Sequence, residues 1–466
     1  MSDQAAASNG SARPRRRVVI TGAGWVTPLG SDIDSVWNRL IAGESAIRPL
    51  ERFPAEAYPT NFGAEVANFE LSRFLANAEE HEHAHRHIRY VLAAAAQAWK
   101  QSGLGDVSHD PNNRNSGFPE LDHSRFGIYL GSGEGAPDFD AYSSSNVDSW
   151  DDEARSVDTI KWAKLAYERM TPTLEYQQEP QFAITHLADV FGAEGPTNNC
   201  MTACAASTQS VGEAYEVMRR GDADVMLAGG SHAMLHPLGI TGFIRLTAMS
   251  TRTDSPQTAS RPFDATRDGF VMGEGAGICV LETLEHAQAR GANILCEVGG
   301  YGSTADAYRI TDIDPEGDGA ARAMRAALEQ AGIDPTVPGS DGRGPVQYIS
   351  AHGTSTPEND GIETKAVKKV FGDQANQVPF SSVKSMIGHL IQAAGAVEMI
   401  TAIQAIRTGF VPPTINHTTP GEGCDLDYVP NAARDLNGEG GVRVAMSNGF
   451  GFGGQNDSIL LQRFEA

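Results

Sequence analysis

Cysteine is scarce in this chain: five residues in 466, at positions 200, 204, 279, 296 and 424. No two of them stand as C-x-x-C, so neither a zinc site nor a disulfide framework is indicated. A reducing, cytoplasmic setting is expected. No apolar run approaches the ~20 residues of a membrane span, and no secretory apolar core follows the start. Positive charge is in deficit, with 36 Lys and Arg against 59 Asp and Glu and a net charge of −23. That balance argues against general binding of nucleic acid or of anionic membranes. No Gly-Lys-Ser/Thr phosphate loop occurs. The first strand, Val18-Val19-Ile20-Thr21, enters Gly22-Ala23-Gly24, but Thr27 holds the third glycine position of G-x-G-x-x-G and Pro28 follows. A dinucleotide site is therefore set aside.

What is present suits a large α/β protein. Hydrophobic residues make up 40% and charged residues 20%, enough for an extensive core, and the length predicts two domains or one duplicated domain. Fifty glycines, mostly at the ends of apolar runs, fit tight strand-to-helix turns. Strands are predicted at 126–130, 225–228, 277–281, 295–298, 346–350, 380–382 and 442–446, with helical patterns between many of them. A strand and Gly-rich turn at Gly127–Gly133 echoes Gln347–Gly353. A turn into a small-residue helix at Cys204-Ala205-Ala206 echoes Gly388–Gly395. The pattern reads as a duplicated unit: a disordered leader over 1–16, one half over 17–290 and a second over 291–466. A polar, acidic insertion at about 137–180 carries one predicted helix around Thr159–Met170, and a flexible loop is expected from Asp106 to Asp122.

The chemistry centres on Asn199-Cys200-Met201-Thr202-Ala203-Cys204-Ala205-Ala206-Ser207. The helix that follows has apolar positions at Val211, Ala214, Val217 and Met218 and stops at Gly221. A cysteine at a helix start meets unpaired N–H groups and the positive end of the macrodipole, which favour the nucleophilic thiolate. Three motifs at predicted strand ends join it: Ala351-His352-Gly353-Thr354-Ser355-Thr356, Ser382-Val383-Lys384-Ser385-Met386-Ile387-Gly388-His389, and Asn448-Gly449-Phe450-Gly451-Phe452-Gly453-Gly454.

Together with Ser260-Arg261-Pro262-Phe263-Asp264 and Asp268-Gly269-Phe270-Val271-Met272-Gly273-Glu274, this set resembles the β-ketoacyl-acyl-carrier-protein synthases, type II branch, of the thiolase superfamily. The resemblance runs from about Arg16 to the C-terminus. It implies a thiolase-like, duplicated five-layer α/β/α/β/α fold, a homodimer, and a decarboxylative Claisen condensation between an acyl-cysteine and malonyl-acyl carrier protein. By that resemblance Cys204 is the nucleophile, the N–H groups of Cys204 and Phe450 form the oxyanion hole, and His352 and His389 donate to the developing enolate. Lys384 biases both imidazoles, and Glu363, Glu398 and Asp360 support the site, with Glu363 expected to pair with Lys384. Thr354 and Thr356 match positions that bind the pantetheine arm, Phe450 is the expected gate, and Phe243 is a candidate substrate-pocket residue. No organic cofactor is implied; a structural monovalent cation is left open.

Two features depart from the family pattern. Glu134, in Gly131-Ser132-Gly133-Glu134-Gly135, stands where an apolar residue is usual against the acyl chain, so it is expected to shorten or polarise the pocket or to point elsewhere. The segment Glu79-Glu80-His81-Glu82-His83-Ala84-His85-Arg86-His87 replaces the usual basic cluster before the carrier-docking helix. His81/His85 and His83/His87 would be helix-face pairs, which keeps a metal site open. Arg86, Arg89 and partly charged histidines are expected to meet the acidic carrier, with affinity rising below about pH 6.5. Two other classes fit less well: a non-decarboxylative thiolase would want a second cysteine where Phe450 and Gly451 stand, and a non-catalytic partner subunit usually loses the nucleophile. A specialised polyketide-like ketosynthase remains the second reading.

Overall fold

The computed structural model describes residues 15–105, 121–133, 135–339 and 342–465. Most of the expected leader, most of the 106–122 loop, and Glu134 lie outside the described residues.

Ten strands form the main sheet: β1 (Val18–Val26), β2 (Phe126–Ser132), β3 (Thr197–Cys200), β4 (Val225–His232), β5 (Gly275–Thr283), β6 (Cys296–Ala305), β7 (Tyr348–Ser350), β8 (Phe380–Ser381), β9 (Val444–Gly451) and β10 (Gln455–Gln462). Their order is β8-β7-β9-β10-β6-β1-β5-β4-β2-β3. Each set of five repeats one plan. Outward from the middle, both halves run first, fifth, fourth, second, third strand. In both halves the fourth, second and third strands are parallel and the first and fifth antiparallel. The halves join where β1 meets β6, at Val18↔Val298, Val19↔Glu297 and Ile20↔Cys296.

Five helices complete the layers: α1 (Arg86–Ser102), α2 (Ala206–Arg220), α3 (Asp318–Gln330), α4 (Asn359–Phe371) and α5 (Ala394–Thr408). Helix α1 covers β1 and β5 on one outer face, and α3 covers β6 and β10 on the other. Helices α2 and α5 pack on each other and on strands of both halves, forming the middle layer. α5 is apolar on nearly every face and accordingly buried almost throughout. Gly395 lets it approach α2: a Cβ there would stand 1.9 Å from Thr208 Oγ1 and 2.8 Å from Thr208 N.

The first strand is longer than its sequence suggests. β1 continues through Gly22-Ala23-Gly24 to Val26 instead of turning. The glycines serve packing: a Cβ at Gly22 would lie 2.0 Å from Ala98 O and one at Gly24 2.1 Å from Ala94 O, both on α1. Strands β3 and β10, unread in the sequence, are polar over Thr197-Asn198-Asn199 and Gln455-Asn456-Asp457. The insertion holds three helices, at Phe139–Asp148, Thr159–Arg169 and Pro172–Tyr176, where one was expected, and a short hairpin of Trp150–Asp151 with Ser156–Val157. It also exposes an apolar face, with Tyr167 91%, Val147 72% and Ile160 71% exposed.

Candidate active site

Cys204, His352, Lys384 and Phe452 each follow the carboxyl end of a strand, namely β3, β7, β8 and β9. That is where open α/β sheets place their sites. Cys204 sits in a single 3-10 turn, Ala203–Ala205, that runs straight into α2. It lines a cavity of about 460 Å³ with His352, His389, Thr354, Thr356, Phe270, Phe450 and Phe452. The four motifs separated by up to 250 residues in the sequence thus converge on one cavity.

The thiol is buried, and burial pushes it up to about 12; the charge of Lys384 and the backbone N–H groups of Phe452 and Cys204 pull the other way. The sequence reading gave the helix start the task of holding a thiolate. In the fold, desolvation outweighs these stabilising groups and the resting side chain is a thiol.

The two imidazoles cross at 85° with centroids 5.4 Å apart. Burial, with the Lys384 charge second, holds both well below the usual histidine range, so both are neutral. His389 Nδ1 accepts the Ile391 N–H at 3.3 Å. Its ring proton therefore sits on Nε2, which has no partner among the described residues and is free to donate. Lys384 donates to the His352 carbonyl at 2.6 Å and to Glu398. Glu398, rather than the expected Glu363, is thus its carboxylate partner, because α5 brings residue 398 to the lysine. Burial pushes Glu398 up to about 7 against that ammonium.

Glu363 has a different task. It accepts the backbone N–H groups of His352 at 2.9 Å and Gly353 at 2.7 Å, and the Asn448 amide at 3.3 Å. Burial raises it to about 7 as well. Asp360 likewise accepts the N–H groups of Thr354, Ser355 and Phe263. From α4, these two carboxylates fix the turn that carries His352. The Thr354 and Thr356 hydroxyls meet at 2.9 Å on the cavity wall.

Two expectations about the Gly-rich loop change. Phe450 lies within β9, opposite Asn456 of β10, and is only 5% exposed. Its ring lines the cavity 5.8 Å from His352, packed in the core of the second half, so it is not a free gate. The backbone N–H that reaches the thiol belongs to Phe452, just past the strand, and that side chain is 40% exposed. Phe243 does not line the cavity. It packs behind it, with its ring 6.0 Å from Phe270, which in turn stands 5.5 Å from His389. Phe270 was legible only as part of a motif, and the wall formed by Leu246, Thr247 and Ala248 carried no sequence signal.

The histidine segment is also corrected. A 3-10 turn covers Ala78–His81 and the helix begins only at Arg86, so neither His81/His85 nor His83/His87 shares a helix face. His81 instead meets His186, Nδ1 to Nδ1 at 2.9 Å. Among the described residues no group of three or more His, Cys, Asp and Glu is arranged to hold a metal ion. Burial lowers His81, His85 and His87. Each is harder to protonate than a free imidazole, which weakens the part these three were expected to play in an acid-driven gain in carrier affinity.

Comparison with known proteins fits this geometry. The model of the beta-ketoacyl synthase N-terminal domain matches residues 15–287, and that of the C-terminal domain matches 295–418. The chain belongs to the beta-ketoacyl synthase family. It is 39% identical to a 3-oxoacyl-[acyl-carrier-protein] synthase 2 of Coxiella burnetii, covering 96% of this chain and 99% of that protein. It is 40% identical to one of Staphylococcus aureus, covering 97% and 99%. A solved beta-ketoacyl synthase from Burkholderia phymatum superposes with a TM-score of 0.81 at 32% identity, covering 97% and 100%. A type II polyketide ketosynthase, solved with its acyl-carrier protein and bound to a hexaketide, gives 0.80 at 32%, with the same coverage. The family is one of acyl-transferring condensing enzymes with the thiolase-like fold. No helix among the described residues is long and apolar enough to cross a membrane.

Proposed function

We propose that the protein condenses an acyl chain carried on Cys204 with a malonyl unit, both delivered by an acyl carrier protein. The observation that carries this reading is one cavity that joins the Cys204 thiol to two neutral imidazoles. In the first half-reaction, the sulfur attacks the acyl thioester. The carrier thiol leaves with the proton, and the N–H groups of Cys204 and Phe452 receive the tetrahedral oxyanion. In the second, malonyl thioester loses CO2. The Nε2–H of His389, with His352 beside it, stabilises the enolate oxygen, and the enolate carbon attacks the acyl-cysteine. Cysteine sulfur is released and the product is a 3-oxoacyl chain two carbons longer. Lys384 and Glu398 position the histidine backbone, Thr354 and Thr356 take the pantetheine arm, and Phe452, with glycine on each side, takes the gating role.

A homodimer fits the surface. Strand β3 ends the sheet with Thr197 and Asn198 exposed, and the insertion presents Tyr142, Val147, Trp150, Ile160 and Tyr167 to solvent. An unpaired edge strand and an exposed apolar face are both surfaces that a second copy would cover. A specialised polyketide-like ketosynthase is the second reading, favoured by the likeness to the hexaketide-bound ketosynthase. Intact mass of the protein after incubation with acyl-carrier donors of varied length tests the main reading. The wild type gains the acyl mass, while Cys204→Ala gains none and loses condensation by more than about 10³-fold. Absence of any adduct on the wild type would overturn it.

A further inference from the structure

Behind Cys204 lies an apolar cluster of Ile391, Phe270, Met249, Leu235 and Ile240, with Phe243 packed against it. A chain carried on the sulfur and running inward, away from the mouth, would follow these side chains. The cluster does not end in more hydrocarbon. The ring of Phe243 meets His232, the last residue of β4, at a centroid distance of 6.4 Å and 83°. His232 is 2% exposed, and its Nδ1 lies 3.1 Å from Gln392 Oε1. Burial lowers His232 to about 4, so the ring is neutral. An amide oxygen can only accept; the ring proton is therefore on Nδ1, and Nε2 presents a bare lone pair. That atom is buried and has no hydrogen-bond partner among the described residues. A buried acceptor without a donor is costly, and such atoms in native proteins call for an explanation.

Gln392 is placed by the same device as the nucleophile. Its 3-10 turn, Ile391–Ala393, leads into α5 as Ala203–Ala205 leads into α2. Its amide also abuts Gly133, where a Cβ would lie 2.1 Å from Gln392 Nε2. An amide and a histidine thus adjoin the apolar cluster behind Cys204.

We propose that the acyl chain this protein loads bears a hydroxyl group, which donates a hydrogen bond to Nε2 of His232 while Gln392 holds the ring. The inference rests on the acylation of Cys204 proposed above, and it names the class of chain: an oxygenated acyl thioester in preference to a plain saturated one. A site that hydrogen-bonds a substrate hydroxyl discriminates against the analogue lacking it, because its own polar group is then left unpaired.

The test uses the full-length protein with octanoyl, 5-hydroxyoctanoyl, 6-hydroxyoctanoyl and 7-hydroxyoctanoyl N-acetylcysteamine thioesters, following Cys204 acylation by intact mass over time. At least one hydroxy isomer is expected to load about tenfold faster than octanoate. His232→Leu abolishes that preference and speeds octanoyl loading; His232→Gln, which keeps a buried acceptor, preserves part of it. Octanoate loading as fast as every hydroxy isomer on the wild type overturns the inference, as does a preference that survives in His232→Leu. No adduct from any thioester would instead strike the acylation reading itself.

Discussion

Residues 203–205 and 391–393 form the same turn in the two halves of the chain. Each is a single 3-10 turn running into a fifteen-residue helix, α2 or α5, that ends on a left-handed glycine, Gly221 or Gly409. Each begins with a non-glycine residue at positive φ, Ala203 at 47° and Ile391 at 44°. The middle residue differs: Cys204 in one, Gln392 in the other. Duplication therefore supplied one strained turn twice. The first copy presents the nucleophile and the second an amide, while the histidines of the second half come from the strand ends beside it. Backbone strain held by surrounding packing is a recurrent mark of functional positions.

The halves also differ in what supports their site residues. The second uses a buried ion pair, Lys384 with Glu398, tied to the His352 carbonyl. The first uses a neutral hydrogen bond, from Thr202 Oγ1 to Gln209 Oε1 at 2.6 Å. Removing one member of a buried pair leaves its partner unmatched in a low-dielectric interior. Lys384→Met is expected to cost about 3–5 kcal/mol in urea unfolding, with much of it recovered in Lys384→Met/Glu398→Leu. Thr202→Val costs about 1 kcal/mol. Equal costs for the two single changes would erase the contrast.

The crossing of α2 and α5 is where the halves press closest. Gly395→Ala drives a methyl against Thr208 and is expected to destabilise by about 1–3 kcal/mol. Gly361→Ala in α4, with nothing within 4 Å of the new Cβ, gains up to about 1 kcal/mol of helix propensity. Parallel melting of the two variants checks the pair; a neutral Gly395→Ala would mean the helices can separate freely.

The sequence made the participants legible better than their pairings. Cys204, His352, His389 and Lys384 all reach one site, because each belongs to a short motif closing a strand. Which carboxylate meets Lys384 depends on how α5 packs across the sheet, and no local pattern encodes that. Phe450 and Phe452 are two apart in one Gly-rich loop, and the end of β9 at Gly451 decides which backbone N–H turns to the thiol. The acid–histidine run looked helical by spacing, yet His81 turns into the core in a 3-10 turn of its own and the helix starts only at Arg86. Tertiary burial also reversed the expected thiolate. With the thiol near 12, its reactive fraction is small at neutral pH and grows tenfold with each unit. Iodoacetamide labelling of Cys204 is thus expected to speed up about tenfold per pH unit from 6 to 9. A plateau by pH 8 would restore the resting thiolate that the helix start suggests.

The smallest expected effect bears on the shared turn itself. A non-glycine residue in the left-handed region costs about 1–2 kcal/mol, and Ala203 carries no large side chain whose loss would confuse the reading. Ala203→Gly relieves that cost but gives the unfolded chain about 0.4–1 kcal/mol of extra freedom. The net change is a gain of about 0.8 kcal/mol, and at most about 1.6, measured by urea unfolding. If the strain exists to fix the sulfur against the Phe452 N–H, acyl loading slows in the same variant although the fold is no weaker. A variant that is both more stable and equally fast at loading would mean that the first turn keeps its conformation by inheritance from the duplicated plan, and that the fit of Cys204 to its oxyanion donors owes nothing to it.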